Sequence, residues 1–263
     1  MLERGDTAGD LPARVPRSRP GNVRVRHRRV PVSVRAVATF AALADAVETL
    51  VRDGTVLAVE GDPLAAARVL LRRRLRELTL VSLDPGAAGD ALVGAGCVTR
   101  LVVARTPGAR TQEALVAGSV SLTEHTALGL TAGYAAGAAG LPCGLVGQGY
   151  VGTDLTFRTV RCPFTGRDLT AVPALTPDLA IVHAPRADRA GNVQLDGVPR
   201  EVLYAAARSL VTVDEIVERV SGEVVPAHVV TTVAPAPAVP AGDREALAGG
   251  PARFGEWLAG VRA

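Results

Sequence analysis

The chain has 263 residues, 48% of them hydrophobic and 21% charged; this is apolar material for one large α/β domain and excludes a wholly disordered protein. Its formal net charge is only +3, and the excess of base is confined to the first stretch of chain. No run reaches the roughly 18 uninterrupted apolar residues of a membrane span, and no secretory leader is recognisable, so a soluble cytoplasmic protein is expected.

Residues 1–35 hold Arg14, Arg17, Arg19, Arg24, Arg26, Arg28, Arg29 and Arg35. They include no aromatic residue to stack on a nucleic-acid base and show no helical period, so the stretch is expected to be a disordered basic arm. A single domain is expected over 36–263. In residues 37–50 the apolar run is interrupted by Asp45 and Glu48, the pattern of an amphipathic helix; the helix is predicted over 40–52, with Asp53-Gly54 as its stop. A strand over 55–59, a helix opened by Pro63 and running to 76, and a strand over 78–82 make a βαβ crossover. Further apolar strands are predicted at 100–104, 119–122, 179–183 and 209–213, with helices at 124–139 and 199–208. Strands alternating with helices imply an open, mainly parallel sheet with helices on both faces. Over 224–240 the prolines Pro226, Pro235, Pro237 and Pro240 favour extended chain, read as a strand and then a surface run. Leu247, Phe254, Trp257 and Leu258 give the last 20 or so residues enough apolar surface for a short docking helix.

Three cysteines, Cys97, Cys143 and Cys162, are odd in number and too widely spaced for a zinc site or CxxC pair. They read as reduced, packed thiols. The run Gly147-Gln148-Gly149-Tyr150-Val151-Gly152 fits a dinucleotide-binding GxGxxG, yet no helix is predicted after it, where the pyrophosphate would need a helix N-terminus. What it retains is a glycine-rich turn, with Gly149 and Gly152, through which backbone can approach a ligand. The strand at 179–183 delivers His183 and then a polar loop of Arg186, Asp188, Arg189 and Asn192 to the carboxyl edge of the parallel sheet, where open α/β folds bind ligands. Gly191-Asn192 suits a tight turn. Asp188 and Asn192 either contact substrate or only cap and turn this loop.

Four segments taken in order resemble the α subunit of family I coenzyme A transferases, the group of glutaconate and 3-oxoacid CoA transferases. They are residues 90–100; the helix from Glu124 ending in Ala139-Gly140-Leu141-Pro142; Cys162-Pro163-Phe164-Thr165-Gly166 leading to Thr176-Pro177-Asp178; and the strand from Leu179 with Ala187-Asp188-Arg189-Ala190-Gly191-Asn192, followed by residues 211–217. The resemblance covers about 39–240. It implies that CoA is a substrate with no permanently bound cofactor or metal, and that a partner β subunit, in an α2β2 assembly, supplies a nucleophilic glutamate. That carboxylate takes the acyl group and then carries CoA as a thioester, with oxyanion donors nearby. In this chain Gly61, Asp62, Gly149, Gly152, Asp188 and Asn192 then fall at CoA or substrate contacts.

The chain departs from that pattern after its first core strand. Relatives carry a longer Gly-Gly loop there, whereas this chain has only Val59-Glu60-Gly61-Asp62 before Pro63, and 105–117 is also short. A functional transferase must then turn Glu60 and Asp62 away from CoA, or neutralise them with Arg68 or a partner residue. Ring-opening CoA-ester hydrolases of the same superfamily are the alternative, with Glu124 as the candidate base; otherwise Glu124 only favours a helix N-terminus. A non-catalytic subunit is the third reading.

Overall fold

The computed structural model describes residues 38–105, 108–147, 158–248 and 251–263; the basic stretch 1–35, Gly149 and Gly152 lie outside them. Strand β1 (Thr39–Phe40) leads into α1 (Leu43–Leu50), β2 (Val56–Glu60), α2 (Leu64–Arg72), β3 (Leu78–Ser82), α3 (Gly86–Gly94), β4 (Val98–Val103), α4 (Ala109–Val116) and β5 (Ser121–Glu124). After α5 (Ala127–Ala138) come β6 (Cys143–Val146), β7 (Arg158–Arg161), β8 (Asp168–Pro173), β9 (Leu179–Asp188), β10 (Val193–Gln194), α6 (Glu201–Ala205) and β11 (Arg208–Val217). Last in order are β12 (Val224–Val225), a 3-10 turn at Ala227–Val229, β13 (Thr232–Pro235), α7 (Ala241–Ala248) and α8 (Pro251–Arg262).

The main sheet runs in the order β1-β13-β11-β9-β2-β3-β4-β5, with β10 and β12 attached beside β9. Every neighbouring pair along that path is parallel, as expected for strands joined by helical crossovers. Alternation along the strands divides the core into two layers. Leu57 and Val59 of β2, Leu101 and Val103 of β4, and Leu179 and Ile181 of β9 pack with Val47 of α1, Leu70 of α2 and Phe254 of α8. Their neighbours Ala58, Val102, Ala180 and Val182 pack on the opposite side with Leu130 and Tyr134 of α5 and Val202 of α6. Helix α1 buries Leu43, Ala46, Val47 and Leu50, the i, i+3, i+4, i+7 stripe that made it legible in the sequence.

Several elements differ from the sequence expectation for local reasons. The helix expected from Glu124 begins at Ala127: Glu124 is the last residue of β5, paired in register with Val103, and Thr126 caps the helix by accepting from Gly129 N at 3.0 Å. Helix α3, with Gly86, Gly89 and Gly94, has too weak a propensity to be read from sequence. Its glycines serve packing, since a Cβ on Gly94 would stand 2.6 Å from the Arg110 side chain. Strands β6, β8 and β7 form a separate antiparallel sheet in the order β6-β8-β7, laid on α5 through Val146, Val172 and Ala132. The tail forms two helices instead of one; α7 buries Leu247 and α8 buries Phe254.

A buried ion pair fixes those last helices to the body. Arg110 Nη1 donates to Asp90 Oδ2 at 2.8 Å and Nη2 to Ala246 O at 3.0 Å, and its guanidinium lies 4.2 Å from the centre of the Phe254 ring. Arg68 Nε meets Asp243 Oδ2 at 2.9 Å, and Trp257 Nε1 donates to the other oxygen of Asp243 at 2.8 Å. Arg68 therefore anchors α7 and is not the counter-charge of Glu60 or Asp62.

Candidate functional site

Strand order reverses between β2 and β9. From β2 the chain builds outward through β3, β4 and β5, whereas β9, β11 and β13 extend the sheet the other way. The crevice beyond the carboxyl ends of strands at such a reversal is where open α/β sheets hold ligands. Glu60, Gly61 and Asp62 lie there at the end of β2, and His183 lies beside them on β9.

Gly61 has φ +74°, and a Cβ on it would stand 2.5 Å from the His183 carbonyl oxygen and 3.2 Å from Val198 Cγ2. The loop is short because its one glycine lets backbone pass against backbone. Asp62 follows at φ +50° and accepts from Ala88 N at 2.8 Å. It thereby caps α3, which has no side-chain cap of its own at Pro85, and its charge favours that helix end. Burial nevertheless pushes the Asp62 carboxyl up, against the Ala88 hydrogen bond, with Asp84 adding to the rise and His183 opposing it.

The Glu60 side chain turns into the protein. Its Oε1 accepts from Leu83 N at 2.8 Å and lies 3.4 Å from the Tyr134 hydroxyl. Burial raises its pKa to about 7, against the Leu83 hydrogen bond and the longer contacts with Ser82 and Tyr134, and the nearby Asp84 charge adds to the rise. Tyr134 is fully enclosed, and burial together with Glu60 pushes its phenol well above the usual range. Sequence reasoning gave Glu60 and Asp62 as carboxylates that must be turned away from CoA. Glu60 is turned into the fold toward α5, and the half-buried Asp62 is turned onto the end of α3.

Two cavities open at this edge of the sheet. The larger, about 560 Å³, lies over the ends of β3 and β4 and is walled by Leu83, Asp84, Ala104, Arg105, by Ala127 and Thr131 of α5, and by Val198 and Pro199. Arg105 Nη1 and Asp84 Oδ2 meet at 3.0 Å as an exposed pair. The smaller, about 110 Å³, is lined by Asp62, His183, Asp214 and Arg244 beneath Ala236–Val239. Here His183 has the partners that its local sequence does not reveal: Nδ1 is 3.1 Å from Thr212 Oγ1 and Nε2 is 3.4 Å from Asp214 Oδ2. The parallel register of His183 with Thr212 brings them together across 29 residues.

Of the other candidates, Glu124 is exposed at the strand end and lines neither cavity. Asp188 and Asn192 bind each other and their own loop. Asp188 Oδ1 accepts from Ala190 N and Asn192 N, each at 3.0 Å, and Oδ2 accepts from Asn192 Nδ2 at 2.9 Å. Asn192 Oδ1 accepts from Ala227 N at 2.9 Å. Burial lowers His125, next to Glu124, to about 4, so it is neutral. Among the described residues no group of three His, Cys, Asp or Glu is placed to hold a metal ion, the three cysteines are free, and no helix is long and apolar enough to cross a membrane.

A family model described as coenzyme A transferase matches residues 40–237. The A subunit of the 3-oxoadipate CoA-transferase of Pseudomonas knackmussii is 38% identical over 203 residues, 69% of this chain and 72% of that protein. The cholesterol ring-cleaving hydrolase IpdA subunit of Rhodococcus jostii is 32% identical over 203 residues, 67% of this chain and 68% of that protein. Among solved structures, a cysteine-to-serine variant of the decarboxylase AibA/AibB superposes with TM-score 0.74 at 29% identity, over 86% of this chain and 98% of that chain. The glutaconate coenzyme A-transferase of Acidaminococcus fermentans shares the fold, with TM-score 0.63 at 24% identity over 75% of each chain.

Proposed function

The chain belongs to the coenzyme A transferase family, and we propose that it is the A subunit of a heteromeric enzyme that moves CoA between an acyl-CoA and a small carboxylic acid of the 3-oxoacid class. The observation that carries this reading is the 38% identity over 203 residues to the A subunit of a 3-oxoadipate CoA-transferase. The geometry agrees with it. A cleft of about 560 Å³ is open at the carboxyl edge of the sheet, and the two carboxylates nearest the reversal, Glu60 and Asp62, are engaged inside the fold. The nucleophilic glutamate then comes from a B subunit closing over this edge, in an α2β2 assembly in the cytoplasm, where CoA thioesters are handled.

In that arrangement CoA is a substrate, and of the candidate contacts Gly61 lies at the edge it approaches, whereas Asp62 caps α3 and Asp188 and Asn192 hold their own loop. The hydrolase alternative loses support because its candidate base, Glu124, is an exposed strand end and does not begin a helix. Likeness to AibA/AibB over 98% of that chain makes decarboxylation the competing outcome to measure. The test is co-expression with the subunit encoded beside this chain, followed by assays of the purified complex with 3-oxoadipate and a panel of acyl-CoA donors. New acyl-CoA formed only by the complex supports transfer. Free acid plus CoA, or CO2 release from an acyl-CoA acid, replaces the reading with hydrolysis or decarboxylation.

A further inference from the structure

Glu60 carries a clue to its own protonation in its hydrogen-bond geometry. Its side chain is buried, at 3% exposure, and while Oε1 receives Leu83 N, Oε2 lies 3.4 Å from Ser82 Oγ. A serine hydroxyl has one hydrogen. That of Ser82 is taken by the Val59 carbonyl oxygen at 2.5 Å, a short O–H···O bond that fixes its direction. With that hydrogen on Val59, Ser82 Oγ faces Oε2 at 3.4 Å with its lone pairs and can accept a Glu60 proton, and burial of the carboxyl favours its neutral form.

Among the described residues, the surroundings offer no cation to hold a carboxylate instead. Facing Glu60 are Ser82 from β3, Tyr134 from α5 and Asp84 from the β3–α3 turn, while Asp62, two residues on, turns to Ala88; on β9 its register partner is Val182, followed by His183. Arg105 meets Asp84, and Arg68 meets Asp243. Leu83, whose N–H Glu60 accepts, and the adjoining Asp84 are themselves walls of the larger cleft.

We propose that Glu60 is a positioning acid held in its protonated form: as a neutral carboxyl it fixes the Leu83–Asp84 wall, and on losing its proton it sets a buried negative charge behind that wall which repels an anionic substrate. The link to substrate rests on the cleft being the acid-binding site, as read above; the protonation does not. Loss of the proton also turns the Ser82 contact into one between two acceptors unless the hydroxyl swings away from Val59. The raised pKa of about 7 places the change near neutrality, so anion binding is strong on the acid side and weakens as pH rises.

Two measurements test it with Glu60→Gln, which keeps an acceptor for Leu83 N and an N–H donor for Ser82 Oγ but cannot ionise. Infrared difference spectra of the purified chain titrated through neutrality should show a protonated carboxyl C=O band that fades with rising pH and is lost in Glu60→Gln. In the assembled complex, KM for 3-oxoadipate should rise roughly tenfold across the same titration, with kcat following a different profile, while Glu60→Gln holds KM at the acid-side value throughout. Glu60→Ala, which leaves Leu83 N unpaired, should raise KM at every pH. The absence of a titrating band, parallel KM profiles in wild type and Glu60→Gln, or a folded Glu60→Gln complex inactive at every pH would each overturn the proposal, the last by making Glu60 a base. The infrared measurement needs no turnover: a complex without transfer activity but with the titrating band sinks the functional reading and supports the protonation.

Discussion

Replacing Gly61 with alanine separates two costs that a glycine at the reversal of the sheet conceals. One is conformational: at φ +74° an L-residue loses about 1–2 kcal/mol relative to ordinary backbone. The other is steric, because the new Cβ would stand 2.5 Å from the His183 carbonyl oxygen, and that neighbour is backbone in a core strand, unable to rotate away. Forcing β2 and β9 apart there resembles overpacking a core, about 1–3 kcal/mol. Gly54 supplies the control: it has the same φ of +74° and nothing within 4 Å of where its Cβ would be. Urea denaturation of the purified variants should then give about 1–2 kcal/mol for Gly54→Ala and about 2–5 kcal/mol for Gly61→Ala. The assembled complex should lose catalytic efficiency only with Gly61→Ala, since His183 and the Asp62 cap shift with the strand end. A Gly61→Ala chain no less stable than Gly54→Ala would refute the close approach of the two backbones and the short-loop explanation built on it.

Four further outcomes follow from the same contacts. Glu60, at about 7 in the fold against 4.5 ordinarily, binds its proton more tightly in the native state. The Glu60 contribution to stability is therefore greatest below about pH 4.5 and falls by about 3 kcal/mol as pH rises to about 7; the difference in denaturation midpoint between wild type and Glu60→Gln should follow that slope. Asn192→Ala breaks the bond to Asp188 and leaves Ala227 N unpaired, a loss of about 2–3 kcal/mol; a fall in kcat at unchanged stability would instead make Asn192 a substrate contact. Asp90→Ala removes the buried carboxylate that Arg110 meets at 2.8 Å, costing about 3–5 kcal/mol, and limited proteolysis should then cut α7 and α8 from the body. Glu124→Gln should leave the turnover of the assembled complex unaltered, and its loss would revive the hydrolase reading.

What could be read from the sequence was whatever depends on neighbours along the chain. Strand β3 is a run of apolar and β-branched residues whose every position is buried, and its bounds were legible without error. Helix α5 was legible in its body but not at its start, because Glu124 favours a helix N-terminus in isolation whereas pairing with Val103 holds it in a strand. Helix α3 was invisible for the opposite reason: its glycines weaken the local signal, and what crowds two of them, Asp62 at Gly86 and Arg110 at Gly94, arrives from other elements.

The candidate site divides along the same line. The sequence placed Gly61, Asp62 and His183 at the carboxyl edge, because strand ends and turn residues are local features. It could not give Glu60 its partners, since Tyr134 is 74 residues away and Leu83 is 23, nor pair His183 with Asp214 without the register of β9 and β11. A reversal in strand order lays strands distant in sequence side by side, and β2 meets β9 across more than a hundred residues. The charge state of Glu60 is set by groups from β3, the turn after it and α5. Its sequence identity alone reads as an anion misplaced in a CoA-binding loop; enclosed by Ser82, Tyr134 and Leu83, the same residue is a buried acid whose pKa is raised and which binds the cleft wall at Leu83. The departure from the longer glycine loop is therefore compatible with transfer chemistry, because the shortened turn carries its carboxylates inward instead of presenting them to the thioester.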